Sequence, residues 1–103
     1  MIRFKDGVKV QGIKTQIWLA IQVAEQIWAG FPLTVTSLND GQHVAGSLHY
    51  SGMAVDLRTK NLPLAIKQAR VDDLAAALPE GYVVLLEKLG EENEHCHVHY
   101  GGL

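Results

Sequence analysis

Two short histidine clusters carry the chemistry of this chain. The first runs Ser47-Leu48-His49-Tyr50-Ser51-Gly52-Met53-Ala54-Val55-Asp56, and the second Glu94-His95-Cys96-His97-Val98-His99-Tyr100. All but one of the chain's five histidines lie in them. Together they offer imidazoles and a carboxylate at ligand-like spacing, with a further carboxylate, Glu94, just upstream of the last candidate ligand. A catalytic zinc site uses such a set: three protein ligands, an open position for water and a nearby general base.

Strand geometry decides what the second cluster can do. Side chains alternate between faces, so His95, His97 and His99 share one face while Cys96, Val98 and Tyr100 share the other. One face is then a row of imidazoles and the other is free to pack. Glu94, at the strand entrance, is expected to swing toward the same site. In the first cluster Gly52 lies between His49 and Asp56. Glycine there permits a tight path or a close approach of another group, which would let His49 and Asp56 converge on one ion.

The pattern Ser-x-His-x-x-Gly-x-Ala-x-Asp resembles the first zinc motif of the M15 peptidases, and Glu94-His95-Cys96-His97 is similar to their second. That family comprises zinc D-Ala-D-Ala carboxypeptidases and the L-alanyl-D-glutamate endopeptidases of phage endolysins. The resemblance spans Thr34 to Tyr100. It implies Zn2+ held by His49, Asp56 and His97, with Glu94 as general base and His95 beside the metal to stabilise the developing oxyanion. Glu87, Glu91 and Glu92 are competing carboxylates. The stretch Ser37 to His43 lacks the arginine that grips a terminal carboxylate in many carboxypeptidase members. Arg58 is the available substitute, and an endopeptidase cut within a stem peptide becomes the favoured activity.

The remaining polar residues have two readings each. Ser47 either donates a hydrogen bond near the metal or shapes the turn before His49. His43 is a cleft-lining or a surface residue, and Tyr50 stacks on substrate or packs. With Arg58, these are the substrate-binding candidates. His99 is expected at the rim of the site, Cys96 as a core thiol, and Trp18 and Trp28 as packing residues.

These groups need elements to position them. Apolar residues at Ile17, Ile21, Ala24 and Ile27/Trp28 predict a helix from about Lys14 to Ala29, stopped by Gly30 and Pro32. Leu33 to Ser37 alternates as a short strand, Asn39-Asp40-Gly41 is a turn, and Gly52 to Leu57 is a second strand. A second helix is expected from Leu62 or Pro63 to Leu78, with Asn61 as N-cap and an apolar side through Ile66, Leu74 and Leu78. Tyr82 to Leu86 and His95 to Tyr100 read as a closing hairpin. The fold class is α+β, a small antiparallel sheet with two main helices, similar to the fold shared by the zinc D-Ala-D-Ala peptidases and the Hedgehog signalling domain.

Composition narrows the partners. A chain of 103 residues with 48% hydrophobic and 19% charged residues reads as one globular domain, here a catalytic domain over 1–103. The net charge of −2 gives no footprint for nucleic acid, and Ile17 to Phe31 is too polar to insert in a membrane. No apolar run follows the charged N-terminus, so synthesis in the cytoplasm without a signal peptide is expected, with action on the cell wall through phage lysis or a virion. The expected function is a zinc metallopeptidase cutting peptidoglycan stem peptides. The alternatives are a D-Ala-D-Ala carboxypeptidase and a non-catalytic, structural zinc domain of a virion.

Overall fold

The computed structural model describes residues 1–38 and 52–101. In chain order the elements are β1 (Ile2–Phe4), α1 (Thr15–Ile27), β2 (Leu33–Ser37), β3 (Ala54–Arg58), α2 (Leu64–Ala77), β4 (Tyr82–Glu87) and β5 (His95–Tyr100). The strands form one sheet in the order β1-β2-β3-β5-β4. Both helices pack against the sheet and against each other. The α+β class with two helices is therefore present, and β4 and β5 form the expected hairpin.

The sheet is mixed where an antiparallel one was expected, because β1 pairs in parallel with β2, Ile2 lying beside Leu33. A three-residue strand is too short to show a period of its own. It is held by partners in β2 that lie about thirty residues later in the chain.

Helix α1 forms where the apolar stripe demands it. Ile17, Ala20, Ile21, Ala24 and Trp28 recur at i, i+3, i+4, i+7 and i+11 and are fully buried. They pack over Leu33 and Val35 of β2, Val55 and Leu57 of β3, and Cys96 and Val98 of β5. Gly30, at φ +90°, and Pro32 end the helix as expected. Trp18 lies at the margin of this core, edge-on to Phe4.

Helix α2 departs from expectation in two ways. Asn61 does not cap it; its side-chain amide donates to the Pro32 carbonyl at 3.0 Å, and the cap position is Pro63. Its buried positions are Lys67, Val71 and Leu74, with Leu78 just beyond, while Ile66 is only half-buried. Leu74 and Leu78 thus face inward as expected, and the stripe begins at Lys67 in place of Ile66.

One glycine sets how the chain enters β3. Gly52 has φ +76°, and its carbonyl accepts from the Lys14 amide at 3.2 Å, tying the start of α1 to the motif around Asp56. A β-carbon there would run into the Gly12 carbonyl oxygen. The close approach expected at this glycine is an approach of the chain's own backbone. Gly52→Ala therefore combines an unfavourable φ with a backbone collision, and a loss of roughly 1–3 kcal/mol is expected in urea unfolding.

Candidate functional site

Strands β3 and β5 set the site by their register. Asp56 lies opposite His97, Arg58 opposite His95 and Ala54 opposite His99. On β5, Cys96 and Val98 are buried toward the helices, while His95, His97 and His99 are half-buried on the other face. The row of imidazoles expected from strand parity is present. On the next strand, Leu85 lies opposite His97 and Glu87 opposite His95.

The donor atoms on this face converge. His97 Nδ1 lies 2.9 Å from Asp56 Oδ1, and its Nε2 lies 2.9 Å from His99 Nδ1. A consistent proton order has His99 donating to His97 and His97 donating to Asp56. In a tetrahedral zinc site with ligand distances of about 2.0–2.1 Å, neighbouring donor atoms stand about 3.3 Å apart. The Asp56–His97 pair thus fits two corners after a small outward shift and loss of the Nδ1 proton. His99 then holds the far nitrogen of the His97 ring, as an orienting partner does.

Asp56 is itself fixed from behind. The Thr36 hydroxyl donates to its backbone carbonyl at 3.3 Å, and the Trp28 indole donates to the Arg58 carbonyl at 3.4 Å. His49, Ser47, His43 and Tyr50 lie outside the described residues. Among the described residues, no group of three or more His, Cys, Asp or Glu side chains forms a metal-holding set.

His95 is positioned for a different task. Its Nδ1 donates to the Asn93 carbonyl at 2.7 Å, which fixes the ring plane. Its Nε2 faces Glu87 Oε1 at 3.1 Å and Asp56 Oδ1 at 3.7 Å. The carboxylate beside His95 is therefore Glu87.

Glu94, expected as the general base, points the other way. It is buried on the helix side of the sheet, where Lys67 Nζ reaches its two carboxylate oxygens at 2.9 and 2.7 Å. The Thr59 hydroxyl and the Gly90 amide also donate to it. The reason is strand parity: Glu94 precedes His95 by one residue, so it falls on the Cys96 side. Burial alone would push its carboxyl pKa up. The bonds from Lys67, Thr59 and Gly90, with the lysine's charge, outweigh that and hold it below the usual range.

Cys96 is fully buried, and burial, helped by the charges of Asp56 and Glu87, pushes its thiol up to about 12. It is a core thiol and not a nucleophile. In the sequence Glu87 is one of the carboxylates competing with Glu94. Counting outward from the turn around Gly90 would have set Glu87 across from His95. Nothing local marks Lys67 or Thr59, whose partner is distant in sequence.

A mixed sheet with two helices on one face and an imidazole–carboxylate row on the other is the Hedgehog/DD-peptidase-like fold. The profile of the Hedgehog amino-terminal signalling domain matches residues 5–76, and the chain belongs to that family. Domains of this kind are related to zinc peptidases, and zinc binding occurs within the superfamily. The matched stretch includes His49 and Asp56 and ends before the second cluster.

The buried ion pair predicts a stability effect. Glu94→Ala leaves Lys67 charged without its partner, and a loss of about 3–5 kcal/mol is expected in urea unfolding. Combining it with Lys67→Met restores part of that loss, since the unpaired buried charge is the main penalty. The pH dependence has a definite sign. A carboxyl with a depressed folded pKa stabilises above its unfolded value of about 4.3 and loses that contribution as pH falls through the lower folded value. Wild-type stability should therefore fall below about pH 4, with a shallower fall in Glu94→Gln, as read from urea midpoints across the acid range.

Proposed function

We propose that this domain is a zinc-dependent peptidase acting on peptidoglycan stem peptides at the cell wall, as a lysin-type endopeptidase. The observation that carries the reading is the convergence of Asp56 Oδ1 and His97 Nδ1 at 2.9 Å, with the His95–Glu87 pair one register step away. A structural zinc site closes all four positions with protein ligands and has no use for an acid–base pair beside it. His49, Asp56 and His97 are the residues that would hold the ion. When bound, zinc polarises the scissile carbonyl and brings the pKa of its water to about 7.

The other steps belong to the chain's own side chains. Glu87 takes the proton from the attacking water and returns it to the leaving amine, a role worth about 10²–10⁴-fold in rate. The His95 ring, locked by the Asn93 carbonyl, acts here with a proton on each nitrogen and presents Nε2–H to the oxygen that gains charge. His99 keeps the His97 ring in plane with Asp56. Glu94 supports the start of β5 from beneath and takes no part in proton transfer.

A D-Ala-D-Ala carboxypeptidase is the second reading, favoured by the register that sets Arg58 opposite His95, where a cation can meet a terminal carboxylate. A zinc-holding domain without turnover is the third, favoured by the signalling role in the family's name.

Release of new amino groups from purified peptidoglycan separates these readings. Activity should vanish on chelation and return with added zinc. Glu87→Gln should lower the rate by about 10²–10⁴-fold. Folded Glu94→Gln should keep it within about threefold, because a group acting only through stability leaves the chemical step intact. Fragment masses distinguish an internal cut from loss of a terminal D-alanine. Stoichiometric zinc binding with no cleavage of any substrate would leave the non-catalytic reading standing.

A further inference from the structure

Strand β4 carries two aliphatic side chains where an edge strand normally carries charge. It is the last strand of the sheet, and Val83 and Leu85 on it are 39% and 45% exposed. Their neighbours Tyr82, Val84 and Leu86 turn inward and pack against the core. Exposed edges are commonly blunted by shortness, lysine or proline. The opposite edge follows that habit: β1 has three residues with Arg3 in the middle. Strand β4 has six residues, Tyr-Val-Val-Leu-Leu-Glu, without lysine, arginine or proline.

The register shows which face these aliphatics occupy. Val83 lies opposite His99, Leu85 opposite His97 and Glu87 opposite His95. They share the imidazole face, and Leu85 is the direct cross-strand neighbour of the candidate ligand His97. Opposed side chains on one face stand about 4.5–5.5 Å apart at their β-carbons. Leu85 therefore stands beside the His97 ring, on the side of it away from Asp56. The face is also polarised along the strands. Arg58, His95 and Glu87 form its charged end, and Ala54, His99 and Val83 its less polar end.

We propose that Leu85 and Val83 form an apolar subsite that receives the side chain of a peptide residue adjoining the scissile bond, so that they set specificity for a small or branched aliphatic residue there. The occupant is a peptide because the subsite adjoins His97 and His99 on the same face, and this identity rests on the peptidase reading. Acidic side chains are disfavoured at the same place by desolvation against the aliphatics and by the charge of Asp56.

The test uses acetylated tetrapeptides that differ only at the residue preceding the cut, with Ala, Leu, Ser or Glu there. Binding is measured calorimetrically to the zinc-loaded Glu87→Gln protein, and cleavage is measured with wild type. Ala or Leu should exceed Glu by about tenfold to a hundredfold in binding and in kcat/KM, the range one apolar pocket provides. Adding Leu85→Ser should reduce that ratio to within about threefold, and Leu85→Ile should retain it. Exposure at Leu85 makes both variants compatible with folding. An unchanged ratio in Leu85→Ser overturns the subsite. So does a concentration-dependent dimer that Leu85→Ser dissolves while peptide preference stays the same, since β4 would then belong to a second copy. Aliphatic-selective binding without cleavage keeps the subsite and removes the peptidase reading. Cleavage without side-chain preference does the reverse.

Discussion

The pairing of β3 with β5 is the constraint on which the site rests. Asp56 comes from the middle of the chain and His97 from near its end, yet their register sets them opposite one another. Because side chains alternate with a period of two, a slip by one residue would turn either Asp56 or the imidazoles toward the helices. It would also expose either Val55 and Leu57 or Cys96 and Val98, all of which are fully buried. The apolar face thus enforces the geometry of the polar one. Hydrophobic burial fixes the register, and the register assembles the donor atoms.

The two carboxylates flanking β5 show how one residue of parity separates two roles. Glu94 enters the helix side, where it meets a buried lysine, a threonine hydroxyl and a backbone amide. Bound by that many donors, it is a clamp joining α2, the residue after β3 and the β4–β5 turn. Glu87, on the partner strand, stays on the imidazole face with part of its side chain in solvent. A base needs access to a reacting proton, which an ion-paired carboxylate inside the core lacks. One carboxylate is therefore locked in the core, and the other is left open to solvent beside an imidazole.

Kinship with the Hedgehog amino-terminal signalling domain suits such a division. Within the matched segment lie the helix stripe of α1, the strands β2 and β3, and the glycine that ties α1 to β3. None of these requires turnover. The His95–Glu87 pair sits on the last two strands, beyond the matched segment. A fold of this kind hosts different functions because its chemistry is grafted onto one exposed face.

Much of this was determined by local sequence. The stripe from Ile17 to Trp28 specifies α1, alternation specifies β2, and parity within His95–Tyr100 specifies which imidazoles face together, because all three are periods of three or four residues at most. The motif around Gly52 and Asp56 likewise marked a close backbone approach and a carboxylate worth watching. What sequence spacing left open were the pairings between distant segments. The parallel β1, the lysine of α2 that turns inward to meet Glu94, and the choice of Glu87 over Glu94 beside His95 all depend on contacts across more of the chain than any local pattern spans, the last only through the hairpin register. A charge at a helix position reads as solvent-facing until its buried partner is known. Only the tertiary structure, by bringing partners within hydrogen-bond distance, decided that Lys67 and Glu94 belong to the core and that the carboxylate beside His95 is Glu87.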